Sequence, residues 1–160
     1  MNTWPKQSEC LSFYGNPRDP KFESHDLVSV PFPWLAVTSW SGERVKGALV
    51  HKKCAASLER IFALLWLAAK QSQDTINEWG LNKFGGGYVF RQMRGGKSLS
   101  MHSYGCAVDF DPARNAMGDD TPHLKDCPLV LAAFKAEGWT WGGNWKGRSV
   151  DAMHFQAATI

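Results

Sequence analysis

The strongest constraint on this chain's fold is one long amphipathic segment set among short ones. Over residues 57–79, Leu58, Ile61, Phe62, Leu65, Ala69 and Ile76 recur at helical spacing. Ser57 offers an N-cap, Glu59 suits the positive end of a helix, and Gly80 stops the run. The spacing predicts a helix over 57–79 with one face packed on a core. Around it lie short segments punctuated by turns. Strands are expected over 35–40 and 45–50, joined by Ser41-Gly42-Glu43, and over 88–91, 107–111, 139–145 and 153–157. A second helix is expected over 128–137, closed by Gly138. Residues 1–35, with bends at Asn16-Pro17, Asp19-Pro20 and Pro31-Phe32-Pro33, read as an irregular N-terminal segment. Helices between short strands at hairpin-like spacing indicate an α+β fold, a small antiparallel sheet with packed helices. A length of 160 residues suits one domain over 1–160.

Composition removes several functions. The formal charge is +3, and no basic run exceeds Lys52-Lys53. That argues against nucleic acid as a partner and leaves room for a mildly anionic one. The apolar stretch 61–69 is far shorter than the roughly 20 residues that span a bilayer, so no membrane insertion is expected. The N-terminus lacks the apolar centre of a signal peptide, which implies synthesis in a cytoplasm without an export signal. Cys10, Cys54, Cys106 and Cys127 show no Cys-x-x-Cys spacing and are expected to be reduced and mostly buried. Eight tryptophans are unusual, and the three within 139–145 are hard to fit together into a small core. They suggest the lining of a groove.

The chemistry lies in three polar segments. His102 and Asp109 flank Gly105, where a turn could fold the imidazole back beside the carboxylate. A catalytic zinc takes three protein ligands and leaves one position open, and His154 could supply the third. Spacing alone equally allows a packed histidine and a turn aspartate. Asp151 stands three residues before His154, where a carboxylate could take a proton from metal-bound water; by itself it reads as a loop residue. Arg91 and Arg94 could hold a substrate carboxylate or an oxyanion. On a strand they face opposite ways, so at most one should enter the site. Asp111 shares the face of Asp109 in the predicted alternation. His25, His51 and His123 have no ligand partner at a recognised spacing.

Taken together, these segments resemble a known family. Ser100, His102, Gly105, Ala107 and Asp109 complete the pattern Ser-x-His-x-x-Gly-x-Ala-x-Asp. Asp151 and His154, followed by Phe155, complete an acidic-x-x-His motif, and Trp141-Gly142-Gly143 with Trp145 precedes it. The chain is similar to zinc peptidases of bacterial cell-wall peptides. These are the D-alanyl-D-alanine carboxypeptidases and dipeptidases and the L-alanyl-D-glutamate endopeptidases of phage endolysins. Residues 84–91 resemble that family's glycine-rich strand with its site arginine. The resemblance implies a hedgehog-like fold and a zinc ion (Zn2+) held by His102, Asp109 and His154. It makes Asp151 the general base and Arg91 the carbonyl or oxyanion partner. Ser100, Arg94, Trp141 and Trp145 fall to the substrate side. The implied substrate is the peptidoglycan stem peptide, cut by a monomer that acts on the wall after release, as a phage or prophage endolysin does. A D-alanyl-D-alanine carboxypeptidase and a non-catalytic zinc-stabilised wall-binding domain are the alternatives.

Overall fold

The computed structural model describes residues 3–160. The expected irregular segment begins with Met1 and Asn2, which lie outside the described residues. Its remainder is more regular than expected: it holds helices α1 (Cys10–Tyr14) and α2 (Phe22–Asp26) and the start of strand β1 (Leu27–Thr38). β1 runs straight through Pro31 and Pro33. The reason is a period of two: Val30, Phe32, Trp34 and Ala36 are buried, while Pro31, Pro33 and Leu35 face out. The ladder to β2 (Arg44–His51) shifts register between Pro31 and Ala36, so missing proline N–H groups are tolerated there.

The long segment forms two helices, α3 (Lys52–Ala68) and α4 (Gln73–Trp79). Leu58, Ile61, Phe62, Leu65, Ala69 and Ile76 are all buried, so the apolar face is as read, but the boundaries are not. α3 starts early because the His51 ring accepts a hydrogen bond from the Lys53 N–H and caps it. Ser57, the expected cap, lies buried inside α3, where its hydroxyl accepts from Trp139 Nε1 at 2.9 Å. Between the helices Lys70 and Gln71 take left-handed φ values, and the Ser72 hydroxyl caps α4.

The remaining elements are β3 (Lys83–Gly86), β4 (Ala107–Phe110), α5 (Pro128–Ala136), β5 (Thr140–Trp141) and β6 (His154–Gln156). Residues 88–91 form no strand; the strand lies upstream as β3. The predicted strand over 139–145 shrinks to the two residues of β5, followed by a 3-10 turn at Gly142–Asn144. The six strands make one sheet in the order β2-β1-β3-β4-β6-β5. Every pair is antiparallel except β1 with β3, which are parallel because α3 and α4 carry the chain back across. α3 and α5 pack on one aromatic core. Phe62 and Phe110 meet there, and Phe134 stacks on Phe155 with ring centroids 3.9 Å apart. Burying each such ring contributes about 1.5–3 kcal/mol. The four cysteines are buried. Among the described residues, no helix is long and apolar enough to cross a membrane.

Two features of this frame position the site. β4 and β6 pair with Asp109 opposite His154. Ahead of β4, His102 rides on a 3-10 turn, Met101–Tyr104, which ends at Gly105. Gly105 has φ +70°, and a Cβ there would lie 2.7 Å from the His51 nitrogen. Only glycine lets this turn press against the start of α3, where the His51 N–H donates to the Gly105 carbonyl.

Candidate metal centre

Pairing of β4 with β6 and the turn before β4 bring His102, Asp109 and His154 together. One ligand atom from each lies within 4.8 Å of the others. Asp109 Oδ1 is 3.2 Å from His102 Nε2 and 3.0 Å from His154 Nδ1, and those two nitrogens are 3.2 Å apart. The outer ring atoms decide what this triangle is. His102 Nδ1 sits 2.8 Å from the Gly87 carbonyl, which can only accept, so Nδ1 carries the proton. His154 Nε2 sits 2.8 Å from the Gln156 side-chain oxygen, which likewise takes its N–H. Both remaining nitrogens therefore aim lone pairs at the same point as a carboxylate oxygen. Three converging acceptors need a positive charge between them, either a proton or a metal ion. The donor set, two imidazoles and one carboxylate, fits a metal such as zinc with a position left open.

Protonation of the cluster obeys the same geometry. Burial alone would raise the Asp109 carboxyl, but the neighbouring His102 and His154 outweigh it and hold it well below the usual carboxylate range. Burial opposes charging His154, yet its hydrogen bond to Asp109 prevails and raises it above an ordinary histidine.

Asp109 and His154 line the floor of a cavity of about 570 Å³, with His102 packed against both from behind. Asp151 lines the same cavity, and its buried Oδ1 has no hydrogen-bond partner. Burial pushes this carboxyl up; His154 pulls it down and Asp109 pushes it up again. Asp151 is held by its backbone, whose N–H donates to the Gly142 carbonyl at 3.0 Å. A Cβ on Gly142 would collide with the Asp151 carbonyl, which explains a glycine at that point of the tryptophan-glycine run.

The other expected residues separate. Ser100 lines the cavity, and its hydroxyl caps the turn by accepting from the His102 N–H. Arg91 and Arg94 both line the cavity, contrary to the expectation that at most one would enter. The expectation fails because their segment is not a strand. Its backbone is held by the Ser103 hydroxyl, which accepts from Arg91 N–H and donates to the Arg91 carbonyl. Trp145 lines the cavity beside His154, with ring centroids 5.6 Å apart. Trp141 stands outside the lining; its Nε1 donates to the Ala152 carbonyl at 2.7 Å and steadies the loop between Asp151 and His154. Trp139 is core. Asp111 leaves the strand with φ +50° and pairs with Arg114 instead of facing the cluster. His51 caps α3, and His123 contacts the Glu78 carbonyl, so neither joins the site.

Several contributors stand outside the sequence motifs. Gln156 lies two residues after His154, where strand periodicity puts it on the same face. Met93, Met101, Met117 and Met153 line the cavity from four separate places in the chain, and no spacing links them.

Comparison with known families reaches the same part of the chain. Residues 94–157 match the family described as D-alanyl-D-alanine carboxypeptidase. Over this stretch the chain is similar to that peptidase family. The match contains His102, Asp109, Asp151 and His154, and it supports a peptidase. No curated protein and no solved structure matches the chain.

Proposed function

We propose that the chain is a zinc-dependent peptidase of the peptidoglycan stem peptide, an L-alanyl-D-glutamate endopeptidase acting as a phage or prophage endolysin. The observation that carries this reading is the carboxylate of Asp151, whose buried Oδ1 has no hydrogen-bond partner, in the same open cavity as the converging ligand atoms. A purely structural metal site closes on four protein ligands and has no use for such a group. His102, Asp109 and His154 hold the metal, which when bound polarises a carbonyl and acidifies a water. The Asp151 carboxylate accepts the proton of the attacking water and returns it to the leaving amine. Its raised pKa suits both transfers. Arg94 and Arg91 orient substrate carboxylates and the carbonyl oxygen. Trp145 walls the cleft on the His154 side. A mild positive charge suits an anionic polymer.

The description of the matched family favours a second reading, removal of a terminal D-alanine. Mass spectrometry of muropeptides digested with zinc and with chelator separates the two. The endopeptidase reading expects stems cut after L-alanine in the zinc arm alone. Loss of one terminal alanine makes the chain a carboxypeptidase, and intact muropeptides in both arms overturn the peptidase itself.

A further inference from the structure

Gln156 belongs to none of the motifs that mark the site, yet it controls one of the site's atoms. It is fully buried on β6, on the same face as His154. Its Nε2 donates to the Ala158 carbonyl at 3.2 Å. That bond fixes which end of the amide faces His154, because a carbonyl can only accept. The amide oxygen is therefore the end that lies 2.8 Å from His154 Nε2 and takes its proton. His154 Nδ1 is left with a lone pair, 3.0 Å from Asp109 Oδ1.

His102 obtains the same orientation from a backbone carbonyl, that of Gly87. For His154 the whole arrangement rests on one side chain. We infer that Gln156 is a positioning residue, which selects the Nε2–H tautomer of His154 and aims Nδ1 at the metal position. The inference rests on the reading of His102, Asp109 and His154 as ligands. A neutral amide in this role leaves His154 a neutral ligand, so Asp109 alone brings negative charge to the donor set. A carboxylate in its place would make the imidazole more basic.

The test compares wild type, Gln156→Leu and Gln156→Glu. Zinc affinity is read by competition with a chromophoric chelator, folding by metal-free thermal melting, and the tautomer by the downfield imidazole N–H proton resonances. Gln156→Leu is expected to melt cooperatively, to bind zinc about 10–100-fold more weakly, and to lose the His154 N–H resonance while keeping that of His102. Gln156→Glu, which restores an acceptor, is expected to recover both affinity and resonance. A folded Gln156→Leu with wild-type zinc affinity overturns the inference and leaves the ligand assignment standing. Wild type that binds no zinc overturns the ligand assignment as well. Should Gln156→Leu fail to fold, Gln156→Asn withdraws the same oxygen with less disturbance and is judged by the same outcomes.

Discussion

The floor and the rim of the cavity are built on different principles. At and just behind the floor, His154 and His102 are buried, and the outer nitrogen of each ring is tied to an acceptor. At the rim, Arg91, Arg94 and Lys146 line the same space with exposed side chains. Arg91 Nη1 reaches only the neighbouring Gln92 carbonyl at 3.3 Å, and Arg94 Nη1 reaches the Met117 sulfur at 3.6 Å. The floor has lost its rotamer freedom on folding. The rim keeps it, about 1.5–2 kcal/mol per long side chain, until a substrate fixes it. Changes on the floor should therefore act as all or none, and changes at the rim should be graded.

The largest effect should come from the floor. His102→Ala and His154→Ala are each expected to abolish zinc retention, measured by elemental analysis after gel filtration, and with it murein hydrolysis. Asp151→Asn should separate chemistry from metal binding: zinc retained at the wild-type level, kcat down by about 10²–10⁴-fold. Equal losses of zinc and kcat would erase the distinction between Asp151 and the three ligands. Acid should weaken the floor through proton competition. His154 has a raised pKa, so it holds its proton to a higher pH than an ordinary histidine, and the metal must displace that proton. Zinc affinity is expected to be constant above this pKa and to fall about tenfold per pH unit below it, as chelator competition across pH would show.

Rim effects should be smaller and fall on substrate binding. Arg94 is close enough to Asp151 to offset a small part of the rise that burial imposes on its carboxyl, whereas Arg91 is turned to its own neighbour's carbonyl. Arg94→Ala is expected to raise KM about 10-fold, the scale of one lost charge-assisted hydrogen bond. Arg91→Ala should raise it less, and the reverse order would show that the guanidinium nearest Asp151 is not the one that meets substrate. The smallest effect belongs to the core beneath: Trp139→Phe removes the bond to Ser57 and should lower stability by about 1 kcal/mol in denaturant melts, with kcat unchanged.

The same contrast governs what the sequence made legible. The approach of His102 to Asp109 could be read because its geometry is local, and His154 joined them through the resemblance of its motif. A turn at Gly105 separates His102 from Asp109, and one strand pairing sets Asp109 opposite His154. The buried face of the long helical segment was legible for the same reason. Its boundaries were not, because the cap is a histidine, and because Lys70 and Gln71 adopt left-handed backbone that their side chains do not advertise. β1 was hidden behind two prolines that usually mark bends but here sit on the outward face beside a register shift. The three clustered tryptophans look alike in sequence. Only packing separates Trp139 in the core from Trp141 on the Ala152 carbonyl and Trp145 at the cavity. Strand alternation fails for the two arginines because Ser103 holds their segment in another shape.

A zinc-binding isotherm on three proteins tests the site most directly: wild type, Asp151→Asn and His154→Ala. One zinc per chain is expected for wild type and for Asp151→Asn with similar affinity, and none for His154→Ala. Tight zinc binding by His154→Ala, or none by wild type, would contradict a metal centre built from His102, Asp109 and His154.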